Sequence, residues 1–153
     1  MQTFNTVSSS EIINPRLIRE WRHDDQMIIY TLSSTESTFV TDYANANLET
    51  VRFWSPEQVM YAVHDLSANG MALTQHLCTC LDNLAQTTVD AGIQMEIALI
   101  LPDTLMYRIF TRFGQTLMQR SQGHITLHYF TDRAKGIAWA ERQLQARQQT
   151  SAD

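Results

Sequence analysis

Three aspartates stand where a run of β-forming residues gives way to a helical pattern: Asp65, Asp103 and Asp132. His64 immediately precedes the first of them, and His76 lies one turn into the helix that follows. In an open α/β sheet, ligands sit outside the carboxyl ends of the strands. A His–Asp pair there is suited to proton transfer, and converging carboxylates are suited to holding a hard cation. Two physical facts oppose both uses. Adjacent residues on a strand point to opposite faces, so His64 and Asp65 are poorly placed to orient one another. Asp and Thr are also the preferred residues for capping a helix N-terminus, which explains all three aspartates by one structural cause. A small enzyme using His64, Asp65 and Asp103 is therefore an alternative reading, and no catalytic residue is assigned.

The remaining chemistry-bearing residues form no motif. His23, His124 and His128 have neither helical metal-ligand spacing nor a cysteine cluster nearby, so no metal is expected. Cys78 and Cys80 are two apart, which on a helix aims them in different directions. They read as free thiols in or near a core in a reducing compartment. The five glycines are scattered, no glycine-rich phosphate loop is present, and a Gly-x-Ser-x-Gly elbow is missing. No cofactor is expected.

A different feature marks residues 105–118. Leu105, Met106, Tyr107, Ile109, Phe110, Phe113, Leu117 and Met118 leave little polar surface beyond Arg108, Thr111, Arg112 and Gln115. That apolar arc is wider than a single contact with a sheet requires. Met106, Tyr107, Phe110 and Phe113 are the candidates for an interaction surface, or for the wall of an apolar pocket.

These residues need elements to position them. Arg16 to Arg22, then Met27 to Leu32, read as strands joined by the polar turn His23-Asp24-Asp25-Gln26, an antiparallel hairpin. Phe39 to Trp54 is helical, with Val40, Tyr43, Ala44, Leu48 and Val51 on one face, and Ser55-Pro56-Glu57 stops it. Three strand–helix units follow. Val59–Val63 leads to a helix carrying Leu73, Leu77, Cys80, Leu81, Leu84 and Thr88, which stops at Gly92. Met95–Leu101 leads to the apolar helix, which stops near Gly123. Ile125–Phe130 leads to a helix carrying Ile137, Ala140 and Leu144. The expectation is an α/β fold: an N-terminal β-hairpin, a helix and three βα units, with a mixed, mostly parallel sheet covered by helices. Residues 1–12 are expected as a flexible tail, 13–146 as one domain and 147–153 as a frayed tail.

The chain has 153 residues, enough for one domain with a real core. Its net charge is −5, with one lysine and ten arginines dispersed along it, which argues against nucleic-acid binding and against attraction to an anionic membrane. The N-terminus lacks the pattern of a signal peptide, and the apolar runs are too short to span a bilayer, so a cytoplasmic location without membrane insertion is expected.

The element order, with Asp65-Leu66-Ser67 closing a central strand and Phe130-Thr131-Asp132 leading into Gly136-Ile137-Ala138-Trp139-Ala140, resembles the STAS domain. The likeness is to its SpoIIAA-like branch, the fold of bacterial anti-sigma-factor antagonists, and covers roughly Arg16 to Leu144. It implies a non-catalytic binding or regulatory module that acts through a regulatory protein partner or as a homodimer. A small apolar or lipid-like ligand is the alternative that some relatives suggest. Partner-switching antagonists carry an Asp-Ser-Ser/Thr-Gly-like motif whose hydroxyl is phosphorylated. The corresponding stretch here, Ser67 to Thr74, lacks that motif. Asp65, Ser67, Asn69, Gly70 and Thr74 are what the resemblance marks as a switch or ligand loop.

Overall fold

The computed structural model describes residues 7–152, with side chains through 150. Residues 1–6 and 153, expected within the two tails, lie outside that range. Six strands form one mixed sheet in sequential order: β1 (Val7–Asn14), β2 (Leu17–Arg22), β3 (Met27–Leu32), β4 (Met60–Asp65), β5 (Met95–Ile100) and β6 (Ile125–Phe130). β1, β2 and β3 pair antiparallel, and β3 through β6 pair parallel. The helices are α1 (Ser37–Phe53), α2 (Gln75–Ala91), α3 (Leu105–Arg120) and α4 (Arg133–Ala152). The α/β architecture of a hairpin, a helix and three strand–helix units is thus as the pattern predicts. Among the described residues no helix is long and apolar enough to cross a membrane.

The sequential strand order decides where the helices lie. Each parallel crossover steps the same way along the sheet, and crossovers are right-handed, so α1, α2 and α3 fall on one face. α4 follows the last strand and folds back over the other. Strand alternation separates the two layers. Ile28, Tyr30, Ala62, Ile97 and Leu127 pack under the first three helices with Val40, Leu77, Leu84 and Phe110. Met27, Ile29, Tyr61, Val63, Ala98 and Ile100 pack against Ala140 and Leu144 of α4.

Residues 7–12 and 147–152 are more ordered than the tail expectation allows. Residues 7–12 belong to β1, an edge strand paired along β2. Its serines carry no apolar alternation, so the pairing is tertiary in origin. It is fastened by the Glu11–Arg19 ion pair at 2.5 Å and by Asn14 Nδ2 donating to Asp42 Oδ2 at 2.9 Å. At the other end α4 continues past residue 146. There Gln148 Nε2 donates to Gln26 Oε1 in the β2–β3 turn, which gives the last turns a docking point.

Gly136 brings α4 close to the sheet. A Cβ built there would lie 2.2 Å from Ile100 Cδ1, with the Phe130 ring 3.5 Å away. Ile100 is fully enclosed and has little freedom to retreat. Gly136→Ala is expected to lower stability by about 1–3 kcal/mol despite alanine's better helix propensity. A chemical-denaturation midpoint equal to or above that of the parent would contradict this close packing.

Candidate functional site

The carboxyl edge of the sheet does not gather its aspartates. His64 and Asp65 follow the strand alternation. His64 turns toward α1 with Met60 and Ala62, whereas Asp65 takes the face of Tyr61 and Val63. Asp65 Oδ1 accepts from Ser67 N at 3.0 Å and from Ser67 Oγ at 2.6 Å. Its Oδ2 accepts from Arg133 Nη1 at 2.9 Å, and the same guanidinium nitrogen donates to Thr31 Oγ1. Asp65 therefore ties the loop after β4 to the first residue of α4. Asp103 is exposed, and Thr104 caps α3 in its place by accepting from Met106 N. Asp132 does cap α4, accepting from Lys135 N at 3.2 Å. One structural cause thus explains the three aspartates less completely than their placement suggests: only Asp132 caps a helix. Among the described residues no three His, Cys, Asp or Glu side chains gather as a metal site requires.

The loop residues singled out above are used structurally. Thr74 is the N-cap of α2, its hydroxyl accepting from Leu77 N at 3.1 Å. The Ser67 hydroxyl is occupied as a donor to Asp65. Asn69 and Gly70 are exposed at the tip, where Gly70 takes a left-handed φ of 82°. Both cysteines are free and partly buried, and burial pushes both thiols up. The other histidines serve as links. His76 Nε2 bonds the Thr41 hydroxyl, His124 Nδ1 bonds Ile93 O, His128 pairs with Glu96, and His23 pairs with Glu141.

The unusual residues lie beneath the helices. An apolar cavity of about 40 Å³ lies between β4–β6 and the helices α2 and α3, with Tyr43 of α1 at one wall. Leu81 and Leu84 come from α2, Phe110, Phe113, Gly114 and Leu117 from α3, and Ile97, Leu99 and Leu127 from the sheet. Gly114 lets Tyr129 and Leu127 of β6 approach α3 closely: a Cβ there would fall 2.3 Å from the Tyr129 hydroxyl and 2.9 Å from Leu127 Cδ1. Of the four α3 candidates, Phe110 and Phe113 line the cavity. Met106 and Tyr107 instead pack half-buried against the core, with the Tyr107 ring edge-on to Tyr129 at 6.5 Å.

His64 is the cavity's polar group. It is 3% exposed and its Nδ1 is hydrogen-bonded to the Tyr43 hydroxyl. Tyr30 stacks obliquely on the imidazole at 5.2 Å and meets Tyr43 edge-on at 5.9 Å. Tyr30 is in turn fixed by Thr50 Oγ1 at 2.7 Å and by donation to Ala46 O at 3.1 Å. The sequence reading missed this Tyr30–Tyr43–His64 cluster. Its available signal was parity: His64 shares a face with Met60 and Ala62, and Tyr43 sits on the buried stripe of its helix.

Burial lowers the His64 pKa from 6.5 to about 4, because a charged imidazole finds no water there. The sign follows from proton binding. Between those values the unfolded chain holds a proton that the folded chain refuses. The stabilisation is complete above pH 6.5 and is lost as pH falls toward 4. The expected slope in that window approaches about 1.4 kcal/mol per pH unit, beyond the carboxylate background. Urea titrations of the parent and of Tyr43→Phe/His64→Leu, run from pH 6.5 to 4.5, isolate this term. Parallel pH dependences would refute it.

Other hollows are larger and more open to solvent. One of about 420 Å³ lies at the amino ends of β3 and β4 and includes Gln26, Trp54, Gln58, Tyr61 and Gln148. Another, of about 510 Å³, runs along the outer side of α3 past Leu105, Arg108, Ile109 and Arg112. The cavity between α2 and α3 differs in being almost wholly apolar and served by a buried hydrogen-bonding group, as small-molecule sites are, but at about 40 Å³ it is well below their usual volume of about 300–1,000 Å³.

Fold and site together define an α/β protein with three helices over one face of a mixed sheet and an apolar cavity beneath them. Comparison with protein-family models, with curated proteins and with solved structures finds no significant match.

Proposed function

We propose that this chain is a non-catalytic binding module whose ligand is a small apolar molecule held between α2, α3 and the sheet. The observation that carries the reading is the cavity itself, apolar around its wall except for the Tyr43–His64 pair. Such a space forfeits dispersion contacts that a fully packed core would make, and a bound apolar group restores them. The lining favours apolar groups, and a ligand larger than the resting space would enter by parting α2 from α3 along Leu81 and Phe113, which are only partly buried. The hairpin, the helix and the three strand–helix units support reading the chain as SpoIIAA-like within the STAS group, a relationship that implies a binding or regulatory module and, in some relatives, an apolar or lipid-like ligand. No reaction is assigned, because His64, Asp65 and Asp103 point to separate surroundings.

Native mass spectrometry of the purified full chain tests this reading. The expected result is a bound apolar molecule that is absent from Leu81→Trp, where an indole closes the seam. A ligand-free parent that also takes up no small apolar probe would overturn it.

A second reading rests on the outer side of α3. Leu105 is 72% exposed and Ile109 is 41% exposed, beside Arg108 and Arg112. This supports self-association or a regulatory protein partner along that helix. Sedimentation velocity should then show a dimer that Ile109→Glu dissociates. A monomer at all concentrations removes the self-association form of this reading.

A further inference from the structure

The Tyr43–His64 pair sets the polarity of the cavity. Tyr43 is buried, and among the described residues its hydroxyl is hydrogen-bonded to His64 Nδ1 alone. Burial pushes the Tyr43 pKa up, so the hydroxyl keeps its proton and must place it on an acceptor. Nδ1 is the acceptor in reach. The opposite arrangement, Nδ1–H donating to the hydroxyl oxygen, would leave the phenolic hydrogen buried and unbonded, at a cost of about 1–3 kcal/mol. A neutral imidazole that accepts at Nδ1 carries its proton on Nε2.

Nε2 has no protein partner among the described residues, whereas every fully enclosed side-chain nitrogen or oxygen there has one. Nε2 therefore keeps a small exposed surface, and the cavity is the space that His64 lines. The result is a single N–H donor at the edge of an otherwise apolar space.

Taking the cavity as the ligand site, we infer that its ligand is an uncharged apolar molecule bearing one hydrogen-bond acceptor, such as a ketone, ester or ether oxygen, which takes the proton of His64 Nε2. A carboxylate fits poorly, because no cation lines the cavity to offset its desolvation. A ligand whose polar group is only a donor fits poorly too, because Nε2 already carries hydrogen. A pure hydrocarbon would fill the space and leave the N–H unbonded.

The test compares cyclopentanone with cyclopentane, two rings of similar size that differ by the acceptor. Both are titrated into the full chain and into Tyr43→Phe/His64→Leu, followed through the methyl resonances of Ile97 and Leu127. Removing both partners together avoids an orphaned hydroxyl. The expected result is that the double substitution weakens cyclopentanone about 10-fold relative to cyclopentane, equivalent to about 1.4 kcal/mol. Equal changes for the two probes overturn the donor assignment and leave the cavity reading standing. If neither probe binds the parent, the cavity reading falls and takes this inference with it. Should the variant not fold, long-range ¹H–¹⁵N correlation of the parent's imidazoles decides the matter. A protonated Nε2 that shifts with cyclopentanone supports the assignment, and a protonated Nδ1 on His64 overturns it.

Discussion

Phe110→Ala is expected to cost about 3–5 kcal/mol, the range for truncating a buried aromatic ring. Phe110 is almost fully enclosed and lines the cavity from α3. Only Phe110, Gly114 and Leu117 of that helix are fully buried, so the ring supplies much of what holds α3 to the sheet. The loss is a large share of the roughly 5–15 kcal/mol that a domain usually has. It should appear as a lower urea midpoint at an unchanged slope. The same truncation enlarges the apolar space, so cyclopentane or benzene near saturation should return part of the stability through mass action. A loss below 1 kcal/mol would mean that α3 is held mainly by other contacts. A full loss with no rescue by either probe would mean that the cavity collapses when the ring is removed.

The second large effect is expected at Asp65. Asp65→Ala removes an acceptor that serves Ser67 N, Ser67 Oγ and Arg133 Nη1 together. The carboxylate side chain is 9% exposed while that of Arg133 is 40% exposed. Solvent screens the guanidinium, so the ion pair contributes less than a buried pair would. The larger part of the loss comes from the turn after β4, whose N–H is left unbonded. The expected cost is about 2–3 kcal/mol, or roughly 4–12 °C in Tm for a chain of this size. Asp65→Asn keeps an acceptor for the Ser67 N–H and should lose about half as much. Equal losses for the two variants would shift the weight from the turn to the charge on Arg133. The prediction separates Asp65 from the cavity: ligand affinity should be unchanged in Asp65→Asn, because the carboxylate lies on the α4 side of the sheet.

The architecture was readable because it rests on periodicity. The apolar strands and the stripes Leu77–Leu84 and Ile137–Leu144 encode two buried layers, and Gly92 ends α2 in the left-handed conformation expected of it. β1 was not readable. Ser8-Ser9-Ser10 has no strand pattern of its own, and its conformation is imposed by β2, Arg19 and Asp42. The extension of α4 was missed for the same kind of reason, since Gln148 finds its partner far away in sequence, at Gln26. The acidic residues misled through local preference. Asp65 and Asp103 have the composition of caps, but Thr74 and Thr104 stand one residue before their helices and take that position.

The candidate site was legible in part. The excess of apolar residues on α3 pointed to Phe110 and Phe113, and both line the cavity. His64 was visible as a residue of interest for the wrong partner. Its neighbour in sequence is Asp65, but its neighbours in space are Tyr43 and Tyr30, which come from a helix and from another strand. A pairing across 21 residues that depends on strand alternation and helical phase cannot be read from adjacency.

The central claim is that the space between α2, α3 and the sheet takes an apolar ligand. A methyl-resolved NMR titration of the full chain with cyclopentanone tests it most directly. The expected result is saturable shifts at Leu84, Ile97, Leu99 and Leu127, with Ile29, Val63 and Leu144 on the α4 side unmoved. Shifts that grow linearly without saturation, or that fall only on Leu105 and Ile109, would contradict it.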